Sequence, residues 1–285
     1  MVTRRWGDEG GFSLVETMIA LVLSSVIIVL VSTTFLVQTR YYSSQTLRAA
    51  AHDNARTATE RMAREIRSVM RSGFVSAGST SLTIRSPMLL AVVCDRQGNN
   101  ISVHNEGGEA GIDTDEVAGV GWLDQTTGVW TYRSATWSYI DQNGGNPANS
   151  CAGNGADTTG ASGSFHRLRR FNNLYGSTPD DGEIIMLYRE TTFSIQSSAL
   201  EPGTLGLFRA SYGQSAIELA TGMDPTAKFQ YRTGGSTYAN SVAAGNLGNI
   251  DAVRLVAEAR KRSQSGGQSD ITFGWSVNIV LPNVP

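Results

Sequence analysis

Glu16 is the single ionisable residue in the apolar run from Phe12 to Val37, which reads FSLVETMIALVLSSVIIVLVSTTFLV. A carboxylate in such surroundings is expensive and either reaches a polar interface or meets an opposite charge, so its chemistry is ion pairing. Two cysteines, Cys94 and Cys151, are the next candidates. If the chain is exported, the even count points to a disulfide; otherwise they are two unrelated buried thiols. Such a disulfide would close a loop of about 57 residues, worth roughly 4 kcal/mol in the chain-entropy model. Asp113, Asp115 and Glu116 stand close together beside Gly111, a spacing compatible with calcium but more simply a solvated acidic turn. His52, His104 and His166 are scattered, so no zinc site is expected. No nucleophile elbow, phosphate loop or dinucleotide fingerprint occurs. The expectation is a chain that is not an enzyme and needs no cofactor or metal.

The element that must position Glu16 is a helix. As an α-helix the run from Phe12 to Val37 spans about 39 Å, more than the roughly 30 Å of a bilayer core. Its Ser and Thr hydroxyls have their own helix carbonyls as partners. Arg4 and Arg5 precede the run and Arg40 follows it. The positive-inside bias therefore places the N-terminus in the cytoplasm and the body outside it. A cleaved secretory signal has a shorter apolar region and a small-x-small site close behind; here the nearest candidate, Ala49-Ala50-Ala51, is far downstream. A plain signal anchor fits the hydropathy equally well.

The segment Gly10-Gly11-Phe12-Ser13-Leu14-Val15-Glu16 resembles the cleavage motif of type IV prepilins. The resemblance implies that a membrane peptidase, the prepilin peptidase, cuts between Gly11 and Phe12 and N-methylates Phe12. Glu16 would then be the fifth residue of the mature chain. Thr17 departs mildly from the family, where an apolar residue is commoner. The resemblance further implies that Glu16 pairs with the N-terminal amine of a neighbouring subunit during filament assembly. The partners implied are prepilin peptidase, other major and minor pilins, an inner-membrane assembly platform of a pilus or type II secretion system, and membrane lipid before assembly.

Beyond Val37 the pattern becomes amphipathic. Leu47, Ala51, Ala55, Ala58, Met62, Ile66 and Val69 form one helical stripe, and arginines and glutamates lie between them. No Gly or Pro interrupts the chain from Phe12 to Ser72, so a single helix ending at Gly73 is expected, with Glu60 and Arg64 paired. The arginine-rich face reads as solvated, with a DNA-contacting strip as the rival. A formal net charge of -2 and the interspersed acids disfavour nucleic acid as a direct ligand.

After Gly73 the period shortens to two. Ser81–Arg85, Val129–Arg133, Ile184–Ile195, Leu205–Arg209, Ile217–Leu219 and Phe229–Tyr231 read as strands. Val253–Arg260 and Ile271–Leu281 read as an antiparallel hairpin with one core face, packed on the helix stripe. Asp141–Gly163 is rich in Gly, Asn and Ser and reads as a surface loop. Asp180-Asp181-Gly182 reads as a turn. The order of the late elements, with Ala252-Val253-Arg254-Leu255 and Leu281-Pro282-Asn283, is similar to PilW-type minor pilins and the J-type pseudopilin of type II secretion.

The expected fold is α+β and pilin-like, a long N-terminal helix on an antiparallel sheet with long loop insertions. The expected organisation is a leader over 1–11, a transmembrane and filament-core helix over 12–37, an amphipathic continuation over 38–73, and a β-rich body over 74–285. The function expected is that of a minor type IV pilin, in the inner membrane first and then in a pilus. A type II secretion pseudopilin and a membrane-anchored ligand-binding or adhesive module are the alternatives.

Overall fold

The structure, a computed structural model, describes residues 13–104, 116–125, 127–139, 168–172, 174, 178–261 and 271–282. The chain divides into two compact units at Ala50/Ala51, which are taken separately below.

One helix, α1 (Leu14–Arg67), begins in the first unit and ends in the second. Within the first unit the described large apolar side chains from Leu14 to Val37 are 52% to 75% exposed. The helix satisfies its own backbone, as a chain in hydrocarbon must. Its hydroxyls follow suit: Thr17 donates to the Leu14 carbonyl, Ser25 to Val22, Thr33 and Thr34 to Leu30, and Thr39 to Phe35, all at 2.7–2.9 Å. The segment Leu14–Thr46 is long and apolar enough to cross a membrane.

In the second unit the stripe turns inward. Ala58, Met62, Ala63 and Ile66 are at most 4% exposed, whereas Arg56, Glu60, Arg61, Arg64 and Arg67 are exposed. Burying side chains of the size of Met62 and Ile66 is worth roughly 1.5–3 kcal/mol each. The helix ends at Arg67, short of Gly73. The last turn tightens there: Val69 N–H donates to the Ile66 carbonyl at 3.1 Å, three residues back, and the Ser68 hydroxyl donates to the Glu65 carbonyl at 2.7 Å. Ser72 then takes a left-handed φ of 64°, and Gly73 passes so close to Val69 that a Cβ there would lie 2.7 Å from Cγ1. Gly73 thus serves a close approach after the helix rather than its cap.

Thirteen strands follow among the described residues: β1 (Phe74–Ala77), β2 (Ser81–Gln97), β3 (Asn100–His104), β4 (Gly119–Asp124), β5 (Val129–Ser134), β6 (Thr136–Tyr139), β7 (Leu168–Asn172), β8 (Ile184–Ser197), β9 (Leu205–Ser211), β10 (Ile217–Met223), β11 (Lys228–Arg232), β12 (Ala252–Lys261) and β13 (Ile271–Val280). All their pairings are antiparallel, in the order β11-β12-β10-β9-β8-β2-β3-β7-β6, with β1 on β2, β13 on β12, and β4 between β5 and β8. Two isolated bridges, Tyr231↔Ala239 and Ala77↔Val242, connect the outer edge of β11 to β1 through the loop that leads from β11 to β12. The sheet therefore curls around its main core. That core joins Ala58, Met62, Ile66 and Val69 to Leu82, Ile84, Phe193, Leu207, Phe229, Val253, Leu255 and Ile279.

A second core lies farther along the same strands and gathers Ala91, Val93, Ile101, Val103, Val120, Trp122, Phe171, Ile185 and Leu187. The long pair β2–β8 links the two. In β8 the inward residues keep one parity, Ile185 and Leu187 in one core and Phe193 and Ile195 in the other. In β2 the parity switches, with Leu82 and Ile84 at one end and Ala91 and Val93 at the other. A register shift between Pro87 and Leu89 accounts for this. Pro lacks the N–H of a regular ladder, and a bulge inserts the one residue that keeps the same face inward.

The strands expected from sequence are all present, and the C-terminal hairpin pairs Val253 with Ile279 and Leu255 with Val277. The segment Asp141–Gly163 lies outside the described residues. Asp181 and Gly182 form a turn, with Gly182 at a φ of 85°.

Candidate functional site

The functional candidates fall at the start of α1. Glu16 lies in its first turn and is exposed. Its N–H donates to the Ser13 carbonyl at 3.0 Å, and Thr17 N–H donates to the same oxygen at 3.1 Å. A carboxylate at this end of a helix also meets the positive end of the macrodipole. Among the described residues no cation stands within ion-pairing reach of Glu16. Gly11 and Phe12 lie outside the described residues. The site is therefore one carboxylate on an otherwise apolar helix surface, and in apolar surroundings such a group needs an opposite charge.

Cys94 sits in β2, 4% exposed, with its sulfur 3.5 Å from the Ser102 carbonyl oxygen. Cys151 lies outside the described residues. Of the acidic trio, Asp113 and Asp115 lie outside them as well, whereas Glu116 accepts a hydrogen bond from Arg189 at 2.5 Å. That carboxylate is already neutralised by a guanidinium. No cluster of three metal-ligating side chains occurs among the described residues. His52 is exposed on α1.

The arginine face of α1 departs from the expected pairing. Glu60 accepts from Arg56 at 2.8 Å rather than from Arg64. Glu65 turns to the sheet instead: Arg209 Nε on β9 donates to its two carboxylate oxygens at 2.9 and 3.1 Å. Arg209 donates in addition to Ser211 at 2.8 Å. This pair is nearly buried, 9% exposed on the arginine and 15% on the glutamate, and clamps the helix to the sheet. The sequence offered no signal for it, because the partners lie 144 residues apart.

A second polar cluster lies on the outer face of the β2–β8 pair. Arg85 lies 4.8 Å from the centre of the Tyr132 ring and 5.6 Å from that of Tyr188. The two rings meet edge to face at 5.5 Å. Burial raises both phenols above the ordinary tyrosine value, with the nearby Arg85 charge pulling the other way. Burial does the same to Tyr231, whose hydroxyl donates to the Gly78 carbonyl at 2.8 Å. Phenols held neutral in this way are packing elements rather than bases. Gly119 on β4 belongs to the same cluster: a Cβ there would lie 2.1 Å from the Arg133 carbonyl and 2.7 Å from the Tyr188 hydroxyl. At Gly121 on the same strand a Cβ would lie 2.8 Å from the Tyr132 ring, so both positions need the space that glycine leaves.

Comparison with known proteins adds one finding. Residues 6–32 match the family model described as the prokaryotic N-terminal methylation motif. No curated protein and no solved structure matches the chain. The match spans the segment that carries Gly11, Phe12 and Glu16 and supports a type IV prepilin-like protein. It implies processing by prepilin peptidase and assembly with other pilins, and it belongs to proteins that are structural rather than enzymatic. Together with the apolar helix it fits a single-pass, membrane-anchored protein.

Proposed function

We propose that this chain is a minor type IV pilin, cut by prepilin peptidase between Gly11 and Phe12, methylated at Phe12, and assembled into a pilus. The observation that carries the reading is the methylation motif directly in front of a helix whose apolar surface is uncovered and bears one carboxylate, Glu16. Lipid covers that surface before assembly, and the stems of neighbouring subunits cover it afterwards. A new amine at Phe12 of one subunit meets Glu16 of the next, which sets register between stems. A minor place is favoured by the size of the body, which carries a second core beyond the helix-packed one. The body stands on the extracytoplasmic side, where Cys94 and Cys151 form a disulfide.

A type II secretion pseudopilin shares the same stem and differs in the platform it engages. An anchored adhesive module would keep the stem and lack the processing. Glu16→Ala tests the assembly role: cleavage proceeds as in the unmodified chain, while the amount recovered in sheared filaments falls at least tenfold. Full incorporation of that variant would overturn the role assigned to Glu16.

A further inference from the structure

The edge strand β13 is paired with β12 along its whole length and with no other strand among the described residues. Leu281 N–H donates to the Asp251 carbonyl at 3.0 Å, which sets the phase of the ladder. Odd-numbered residues of β13 exchange bonds with β12, and Gly274, Ser276, Asn278 and Val280 turn their N–H and C=O groups outward. Proteins protect such edges with charge, proline or a bulge. Ile271–Val280 contains no charged residue and no proline, and its register with β12 is unbroken. The outer edge of β11, by contrast, is bridged by Ala239.

Beside this bare edge runs a groove of about 510 Å³ between α1 and β13. Ala63 and Val277 give it an apolar floor, and Arg56, Arg64 and Arg67 stand along the helix side. Glu60 neutralises Arg56 at 2.8 Å. Arg64 and Arg67 have no carboxylate partner among the described residues. The groove is thus positive, apolar at its base, and beside a row of backbone groups that have no partner strand among the described residues.

We infer that this groove docks an extended acidic segment of a partner polypeptide, which adds as a strand to the free edge of β13 and sets carboxylates against Arg64 and Arg67. Strand addition takes its affinity from main-chain hydrogen bonds and its selectivity from alternate side chains. A strand sends those side chains to one face about every 7 Å, so an alternating acidic and apolar sequence meets both the arginines and the floor. A nucleic acid would satisfy the charge but offers no ladder to β13. The inference goes beyond the pilin reading and stands apart from it, since nothing in it depends on cleavage at Gly11 or on Glu16.

The test uses the full chain in detergent micelles and a fluorescein-labelled peptide of alternating glutamate and valine, read by anisotropy at fixed salt. The unmodified chain binds it. Arg64→Gln with Arg67→Gln weakens binding at least tenfold, and because both arginines are exposed the thermal melt moves by no more than a few degrees. Replacing the peptide glutamates by lysine abolishes binding. N-methylation of the peptide amides that face β13 weakens it at least tenfold, whereas N-methylation of the opposite set does not. Absence of binding by the unmodified chain, equal binding by the doubly substituted one, or equal binding of both N-methylated peptides would overturn the inference. Displacement by a DNA duplex of matched charge concentration as effectively as by unlabelled peptide would do so too, by making the site a polyanion surface.

Discussion

The clamp between Glu65 and Arg209 sets how firmly α1 is held on the sheet, and its loss has a calculable cost. Glu65→Ala removes both acceptors of Arg209 Nε and leaves a guanidinium that is 9% exposed with only Ser211 as a partner. Removing one partner of a buried pair costs about 3–5 kcal/mol, and the slight exposure of Glu65 places this case near 3 kcal/mol. For a body of this size that corresponds to a fall in Tm of roughly 6–12 °C. The double substitution Glu65→Leu with Arg209→Met removes the stranded charge and restores apolar contact, so it lies within about 1.5 kcal/mol of the unmodified protein. Urea unfolding of the full chain in micelles, followed by tryptophan fluorescence, gives all three values. A Glu65→Ala effect under 1 kcal/mol would refute the reasoning, as would a double variant no more stable than the single one.

Three further outcomes follow from the site and its surroundings. Tyr132, Tyr188 and Tyr231 have pKa values raised by burial, so the folded state holds their protons more tightly than the unfolded state. Their contribution is intact below the ordinary tyrosine pKa of about 10 and is lost as pH rises above it, by up to about 1.4 kcal/mol per pH unit for each phenol. Stability measured against pH should be level through neutrality and fall above pH 10, with phenolate absorbance appearing together with unfolding; early titration of all tyrosines would contradict this. Reduction, or Cys94→Ser, should lower stability by up to about 4 kcal/mol if Cys94 and Cys151 are joined. Identical urea midpoints with and without reductant would remove the disulfide. Glu16→Ala should separate cleavage from filament incorporation, as set out above.

The parts of this fold that were legible in the sequence are those whose burial follows a local period. Ala58, Met62 and Ile66 announce a helix face because one side of α1 is buried and the other is solvated. Val253, Leu255, Ile279 and Leu281 announce a hairpin because the face alternates without interruption. The full length of β2 was not legible, since the bulge at Pro87 shifts the parity of its inward residues and a period-two reading stops there. β4 was hidden for another reason. Its Gly119 and Gly121 carry no side chain to show an alternation, and they are strand positions where a Cβ would meet the Arg133 carbonyl or the Tyr132 ring. The helix-to-sheet clamp joins residues far apart in sequence, and no local pattern encodes it. The methylation motif was the reverse case, because residues 6–32 carry it as one short contiguous segment.

The most direct test of the central claim is the mass of the protein isolated from cells with and without prepilin peptidase. The expected result is a mature chain that begins with methylated Phe12 when the peptidase is present and an intact Gly11–Phe12 bond when it is absent. An uncleaved Gly11–Phe12 bond in both would contradict the pilin reading and leave the helix as a plain membrane anchor.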